Sequence, residues 1–267
     1  MKRRGRVLVV AGSDSGGGAG IEADIKTVTA LGGYAATAIT AVTVQDTTGI
    51  YGIHPVPPEI TAAQMRAVLA DIGADAIKIG MLGSRRMVEV VCDVLEGDAL
   101  GIPVIVDPVL TATSGTELLA PEAVTVLRDR LMPWASLITP NVPELEALTG
   151  LLIEDSDGLL AAAKRLRAMK ATAVLAKGGH LPGRDITDIL LVESGEDGVF
   201  TTPRRPTRHT HGTGCTLASA IATGMAQGMS LIAAVTRARR YLDQAISGAP
   251  GFGRGHGPLD HGHPLHH

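Results

Sequence analysis

The chain has 267 residues, enough for one large α/β domain or two small ones with a sizeable core. Hydrophobic residues make up 45% and aromatics only 2%, so the composition excludes a disordered chain and points to a core of Ala, Val, Ile and Leu. A net charge of −3 and an isoelectric point near 6.3 exclude an electrostatic footprint for nucleic acid.

In chain order, RVLVVAG (6–12) reads as a buried strand and IEADIKTVTALG (21–32) as a helix. YAATAITAVT (34–43) reads as a second strand. TAAQMRAVLADI (61–72) reads as a helix opened by a Thr61/Gln64 capping box, with Met65, Val68, Leu69 and Ile72 on one face. DAIKIGM (75–81) is a strand, followed by a helix over 84–95 whose Met87, Val90, Val91, Val94 and Leu95 repeat the helical period. Next come strand 103–108, helix 121–131, strand 136–140, a short helix near 142–149, helix 156–169 and strand 172–179. An antiparallel pair is expected near 188–203, and two helices finish the chain. Continuous apolar strands alternating with helices predict a mostly parallel sheet covered on both faces. No repeat or linker interrupts it, so residues 1–267 are expected to form one domain, with a basic tip (1–5) and a solvated His-rich tail (256–267) at its periphery.

No apolar run reaches the ~18 residues of a membrane span, and the short apolar run near the start does not resemble a signal sequence. A cytoplasmic protein that binds neither membrane nor nucleic acid is therefore expected. Cys92 and Cys215 are far apart in sequence and are expected to form neither a disulfide nor a zinc site.

In a sheet of this kind ligands bind beyond the carboxyl ends of the strands, which makes the strand-to-helix loops informative. GSDSGGGAG (12–20) contains Gly18, Gly20 and Ala23 in a G-x-G-x-x-A spacing. Gly18 lies several residues past the strand, which argues against a dinucleotide fingerprint, and no GK[ST] follows to make a Walker A loop. A loop whose backbone approaches a small ligand closely is the better reading.

HGTGC (211–215) places Gly212, Thr213 and Gly214 where a glycine turn meets a helix start. Backbone N–H groups there form an anion nest, and the helix adds its positive end. Such a turn would hold the charge that develops in phosphoryl transfer. Asp107 at a strand end and Asn141 with Glu144 three residues on offer oxygen ligands suited to Mg²⁺ beside phosphates. Lys177 follows an apolar strand, where it would touch ATP phosphates. Gln45 offers a donor and an acceptor side by side, matching an amino-substituted ring nitrogen. Taken alone, HGTGC also fits a helix start with a buried cysteine, Asp107 a turn residue, Glu144 and Lys177 solvated residues, and Gln45 an ordinary loop glutamine.

Together the loops resemble, in order, those of the hydroxymethylpyrimidine/phosphomethylpyrimidine kinases, thiamine-biosynthesis members of the ribokinase-like family. The resemblance runs from about 6 to 259 through AGSDSGGGAGIEADIKT, AVTVQDT, KIGMLGS, VDPV with TSG, TPNVPE, KGGH and HGTGC. It implies a ribokinase-like three-layer α/β sandwich, a homodimer, and ATP-dependent phosphorylation of 4-amino-5-hydroxymethyl-2-methylpyrimidine and then of its monophosphate. By the same resemblance Gln45 would pair with the aminopyrimidine edge, with Gly12, Asp24 and Met81 lining the pocket. Gly212, Thr213 and Gly214 would form the anion hole. Lys177, Asn141, Glu144 and Asp107 would serve ATP and Mg²⁺. Cys215 stands where sugar kinases of this fold carry an aspartate base. A thiol of pKa ~8.5 is lowered at a helix N-terminus, so Cys215 is either the proton acceptor or a group that only holds the alcohol in line. A pyridoxal or pyridoxine kinase of the same fold and a non-catalytic binder of a vitamin precursor are the alternatives. His180 and His211 are expected to be structural.

Overall fold

The computed structural model describes residues 4–112, 115–116, 118–193 and 197–265. Nine strands form one sheet: β1 (Arg6–Ser13), β2 (Tyr34–Gln45), β3 (Ile50–Pro55), β4 (Ala76–Ile79), β5 (Val104–Val106), β6 (Leu137–Ile138), β7 (Ala173–Ala176), β8 (Asp185–Val192) and β9 (Gly198–Pro203). Their spatial order is β3-β2-β1-β4-β5-β6-β7-β8-β9. The six from β2 to β7 run parallel, β3 at one edge is antiparallel to β2, and at the other edge β8 is antiparallel to both β7 and β9.

Among the described residues eight α-helices cover the sheet: α1 (Gly20–Ala30), α2 (Pro58–Asp71), α3 (Arg85–Asp98), α4 (Pro121–Val126), α5 (Val142–Thr149), α6 (Ser156–Ala168), α7 (Thr213–Ala226) and α8 (Leu231–Ser247). A π-helical turn (Leu127–Leu131) continues α4. The strand period of two explains why there are two cores. Along β1, Leu8 and Val10 pack under α2 to α6, while Val7, Val9 and Ala11 pack under α1, α7 and α8. These layers are the expected three-layer sandwich. The strand order reverses beside β1, because β2 lies on one side of it and β4 on the other, and a ligand crevice opens at such a switch point.

Three local expectations change. Thr61 and Gln64 do not cap a helix, because α2 begins earlier, with Pro58 at its first position. Thr61 Oγ1 instead donates to the Ile39 carbonyl, and Gln64 Oε1 accepts from the Ile39 N–H, so both tie α2 to β2. Strand β3 was not apparent from the sequence. Its IYGIHP pattern alternates poorly, and pairing with β2 rather than burial holds it. The C-terminal tail is not simply solvated. Leu259 and His261 are buried, His261 Nε2 lies 3.0 Å from Thr216 Oγ1, and the Tyr241 hydroxyl donates to the His261 carbonyl. Burial lowers the His261 pKa to about 4, so the ring packs there neutral. Part of the basic tip and of the tail, and most of TSG (113–115), lie outside the described residues.

Candidate active site

Seven loops meet at the carboxyl edge of the sheet around a cavity of about 850 Å³. Gly12, Gln45, Met81, Asp107, Asn141, Glu144, Lys177, Gly212, Thr213, Gly214 and Cys215 all line it, so eleven of the twelve expected site residues come together.

Asp24 is the exception. It is fully buried beneath the cavity, with Oδ2 at 2.8 Å from Lys78 Nζ and Oδ1 accepting from Ser219 Oγ. Its position on the inner face of α1 turns it toward the sheet rather than the ligand.

The glycine turn before α7 is built by contact with the first loop. Gly212 has φ +83°, a left-handed conformation, and a Cβ on it would collide with the Gly18 carbonyl. Gly20 has φ +56°, and a Cβ there would strike the Gly12 carbonyl. Gly212 is also the N-cap of α7 and provides no side-chain acceptor; the Thr213 N–H meets the Thr210 carbonyl at 3.3 Å, and no N-cap side chain competes with a ligand for the others. Asp14 shapes the first loop. Its carboxylate accepts from the N–H groups of Gly16, Gly18 and Ala19, and His211 Nε2 sits 2.8 Å from Oδ2. Burial would raise Asp14, but the hydrogen bonds from His211, Ala19 and Gly16 hold it below the ordinary carboxylate range.

Asn141 and Glu144 form a capping box on α5: the Asn141 side chain accepts from the Glu144 N–H at 3.0 Å, and Glu144 Oε2 accepts from the Asn141 N–H at 2.7 Å. The box fixes Glu144 at the cavity wall. Burial pushes its carboxyl up to about 7, with Lys177 opposing and Asp107 adding to the rise. Lys177 Nζ lies 3.0 Å from Asp107 Oδ1, which also accepts from Thr139 Oγ1. Asp107 Oδ2 faces the glycine turn, for a Cβ on Gly214 would sit 3.1 Å from it.

Cys215 lies in the first turn of α7, yet its thiol is not activated. Burial pushes it up to about 11, and the attraction of Lys78 offsets only part of that. The expected lowering at a helix start is overturned, because desolvation of the thiolate outweighs it. Cys215 and Cys92 are both free thiols.

Several residues of the site carry no sequence signal of their own. Lys78 lies inside an apolar strand, and Asp188 and Arg239 form an ion pair across the far end of the cavity. Arg204 reaches three carbonyls, those of Gly179, Leu181 and Gly183, and so fixes the loop after β7. His180 lines the cavity, and burial, aided by Lys177 and Arg204, lowers its pKa. His180 and His211 were singled out in the sequence as structural, and Asp14, a polar residue within a glycine turn, could have been suspected.

The phosphomethylpyrimidine kinase family pattern matches residues 14–260. The thiamine biosynthesis bifunctional protein ThiED of Geobacter sulfurreducens is 50% identical over 262 residues, which is 97% of this chain and 52% of that protein, so the chain spans about half of its length. The hydroxymethylpyrimidine/phosphomethylpyrimidine kinase of Streptomyces coelicolor is 47% identical over 260 residues, covering 97% of this chain and 95% of that one. Among solved structures, an ADP complex of Bacillus subtilis pyridoxal kinase superposes with a TM-score of 0.90 at 32% identity, covering 97% of each chain.

Proposed function

This chain belongs to the phosphomethylpyrimidine kinase family and is a phosphotransferase, and we propose that its site phosphorylates 4-amino-5-hydroxymethyl-2-methylpyrimidine and then the monophosphate, with ATP as donor, in thiamine biosynthesis. The observation that carries this reading is the placement of Gln45 and the Gly212–Cys215 turn on one cavity, with Lys177 and Asp107 beside the turn.

In this reading Gln45, Gly12 and Met81 hold the heterocycle, and the hydroxymethyl group points toward the start of α7. The alcohol oxygen attacks the γ-phosphorus as the bond to the ADP oxygen breaks. The N–H groups of Gly212, Thr213 and Gly214 receive the charge that spreads over the phosphoryl oxygens. Lys177 contacts the ATP phosphates. A thiol raised to about 11 is not a base at neutral pH, so Cys215 positions the alcohol. The alcohol proton leaves late, onto the transferred phosphoryl group, because a loose transfer needs little activation of the nucleophile.

The donor set suits Mg²⁺. Two carboxylates, Asp107 and Glu144, share the wall with Lys177, and no group of three metal-ligating side chains occurs among the described residues. Mg²⁺ is usually held by one or two carboxylates together with phosphates and waters. Bound there by Asp107 and Glu144, directly or through water, it would neutralise phosphate charge.

Pyridoxal kinase is the second reading, favoured by the structural likeness to the Bacillus enzyme. Gln45 argues for the aminopyrimidine, since pyridoxal has no amino group beside its ring nitrogen. No helix among the described residues is long and apolar enough to cross a membrane, and a cytoplasmic location is part of the proposal. So is a homodimer, with Val42, Val44 and Tyr51 exposed on the β2–β3 ribbon as its apolar face. Incubation with Mg·ATP and the aminopyrimidine, followed by mass analysis, tests the reaction. Monophosphate and then diphosphate are expected, while binding without ADP formation would favour the non-catalytic binder.

A further inference from the structure

Gln45 projects its carboxamide between two fixed partners. As placed, Oε1 lies 3.2 Å from Thr43 Oγ1 and Nε2 lies 3.3 Å from His211 Nε2. The two ends of a carboxamide have nearly the same shape, and only the hydrogen-bonding partners decide which end belongs on which side.

The protons around Gln45 can be counted. Thr43 Oγ1 has one, within reach of both the Ser13 carbonyl at 2.9 Å and the Gln45 carboxamide at 3.2 Å, and the shorter contact, to Ser13, takes it. Toward Gln45 the hydroxyl is therefore an acceptor. His211 Nε2 faces Asp14 Oδ2, which already accepts two backbone N–H groups. The Asp14 carboxyl is held ionised, so it accepts only, and His211 Nε2 must carry a proton and donate. A protonated Nε2 cannot accept from an amide N–H. An amide oxygen toward Thr43 and an amide nitrogen toward His211 would thus set acceptor against acceptor and donor against donor. Turned end for end, the amide nitrogen donates to Thr43 Oγ1 and the oxygen shares the single His211 Nε2 proton with Asp14, which removes both clashes.

We propose that Asp14, His211 and Thr43 lock the Gln45 carboxamide with its oxygen toward His211 and its amino group toward Thr43, and thereby make the site choose an amino over an oxo heterocycle. The choice of substrate rests on the pyrimidine kinase reading above. A 4-aminopyrimidine edge offers a donor, the amino group, beside an acceptor, the ring nitrogen. Its 4-oxo analogue offers the reverse order. A locked amide matches one order, whereas a free amide rotates and matches both. Thr43, His211 and Asp14 are positioning residues, acting on the substrate through Gln45. Sites that pair specific polar groups reject the mismatched analogue because a buried partner is left unpaired.

The test compares kcat/KM for the 4-amino substrate and its 4-oxo analogue in the native chain, in Thr43→Val and in Thr43→Ser. The native chain is expected to prefer the amino compound by about 100-fold, the order of a good bidentate pair. Thr43→Val should reduce the preference below about 10-fold, and Thr43→Ser, which keeps the hydroxyl, should retain it. A Val variant with the full native preference would overturn the lock. Failure of the native chain to phosphorylate the amino compound would instead sink the pyrimidine kinase reading. The lock then still faces a substrate-free measurement, nuclear Overhauser contacts of the Gln45 amide protons in the native protein. Contacts to the Thr43 methyl group are expected, and contacts to the His211 ring in their place would refute the orientation.

Discussion

Lys78 Nζ and Asp24 Oδ2 lie 2.8 Å apart, and neither side chain reaches solvent. With Ser219 donating to the other Asp24 oxygen, the pair joins β4, α1 and α7 directly beneath the anion turn. Burial opposes the Lys78 charge, but Asp24, helped by Asp107, more than offsets it and keeps the ammonium protonated. Removing one partner leaves an uncompensated buried charge, which costs about 3–5 kcal/mol. Lys78→Met should therefore lose stability of that order in chemical denaturation, and the double variant Lys78→Met/Asp24→Leu should recover most of it. A single variant within about 1 kcal/mol of the native chain would contradict the pairing.

Glu144 gives the site a pH dependence. Its carboxyl is raised to about 7 in the folded chain, against about 4.3 when exposed. Below the lower value both states hold the proton. Between the two, the unfolded chain releases it while the folded chain keeps it, so stability falls as pH rises from about 4.3 to 7. Activity should move the other way, since the proposed Mg²⁺ role needs the carboxylate. We expect kcat/KM for Mg·ATP to rise with a midpoint near 7, and Glu144→Gln to lose both that limb and most of the activity. A limb unchanged in the Gln variant would remove Glu144 from this role.

Cys215 should react slowly with alkylating reagents at neutral pH, with a rate that keeps rising toward pH 11. Cys92, fully buried and pushed up to about 12, does not compete. A rate levelling off near pH 7 would restore the thiolate base. Cys215→Ser should keep turnover within about tenfold of native, because the loss is one of positioning rather than of a base, whose contribution is about 10²–10⁴.

The anion turn should be more sensitive than the thiol. A Cβ on Gly214 would press on Asp107 Oδ2 and Lys177 Nζ at 3.1 and 3.4 Å while leaving the helix intact. Gly214→Ala keeps the N–H but displaces it from the phosphoryl group, and is expected to lower kcat by up to about 10²-fold, the order seen when an oxyanion donor is removed, with little change in thermal midpoint. A native kcat would argue against the turn as the seat of transfer.

The C-terminal strap reaches the substrate loop. The Gly255 N–H donates to Thr47 Oγ1 and the His256 N–H to the Thr47 carbonyl, two residues beyond Gln45. A Cβ on Gly255 would collide with that carbonyl. Gly255→Val should raise KM for the heterocycle more than KM for ATP. Equal effects on both would assign the strap a general structural role.

The parallel strands and most helices were legible because uninterrupted apolar runs and a helical period state them directly, as Met87, Val90 and Val94 do in α3. Loop order carried the site, since every functional loop follows a strand end. The sequence was silent where tertiary pairing decides. Gln64 and Thr61 imitate a cap but serve β2, and Asn141 and Glu144, read as ligands or, for Glu144, a solvated helix residue, form a cap. Asp24 lay in a motif that resembles the family's pocket, yet the helix turns it toward Lys78. The His-rich tail looked solvated because composition says nothing of the buried slot that receives His261.

The central claim is transfer of phosphate to an aminopyrimidine alcohol seated on Gln45. The most direct measurement is the ratio of kcat/KM for 4-amino-5-hydroxymethyl-2-methylpyrimidine to that for pyridoxal, with Mg·ATP, in the native chain and in Gln45→Ala. A native ratio well above one that collapses in the alanine variant is predicted. A ratio below one, or one that Gln45→Ala leaves unchanged, would contradict the account.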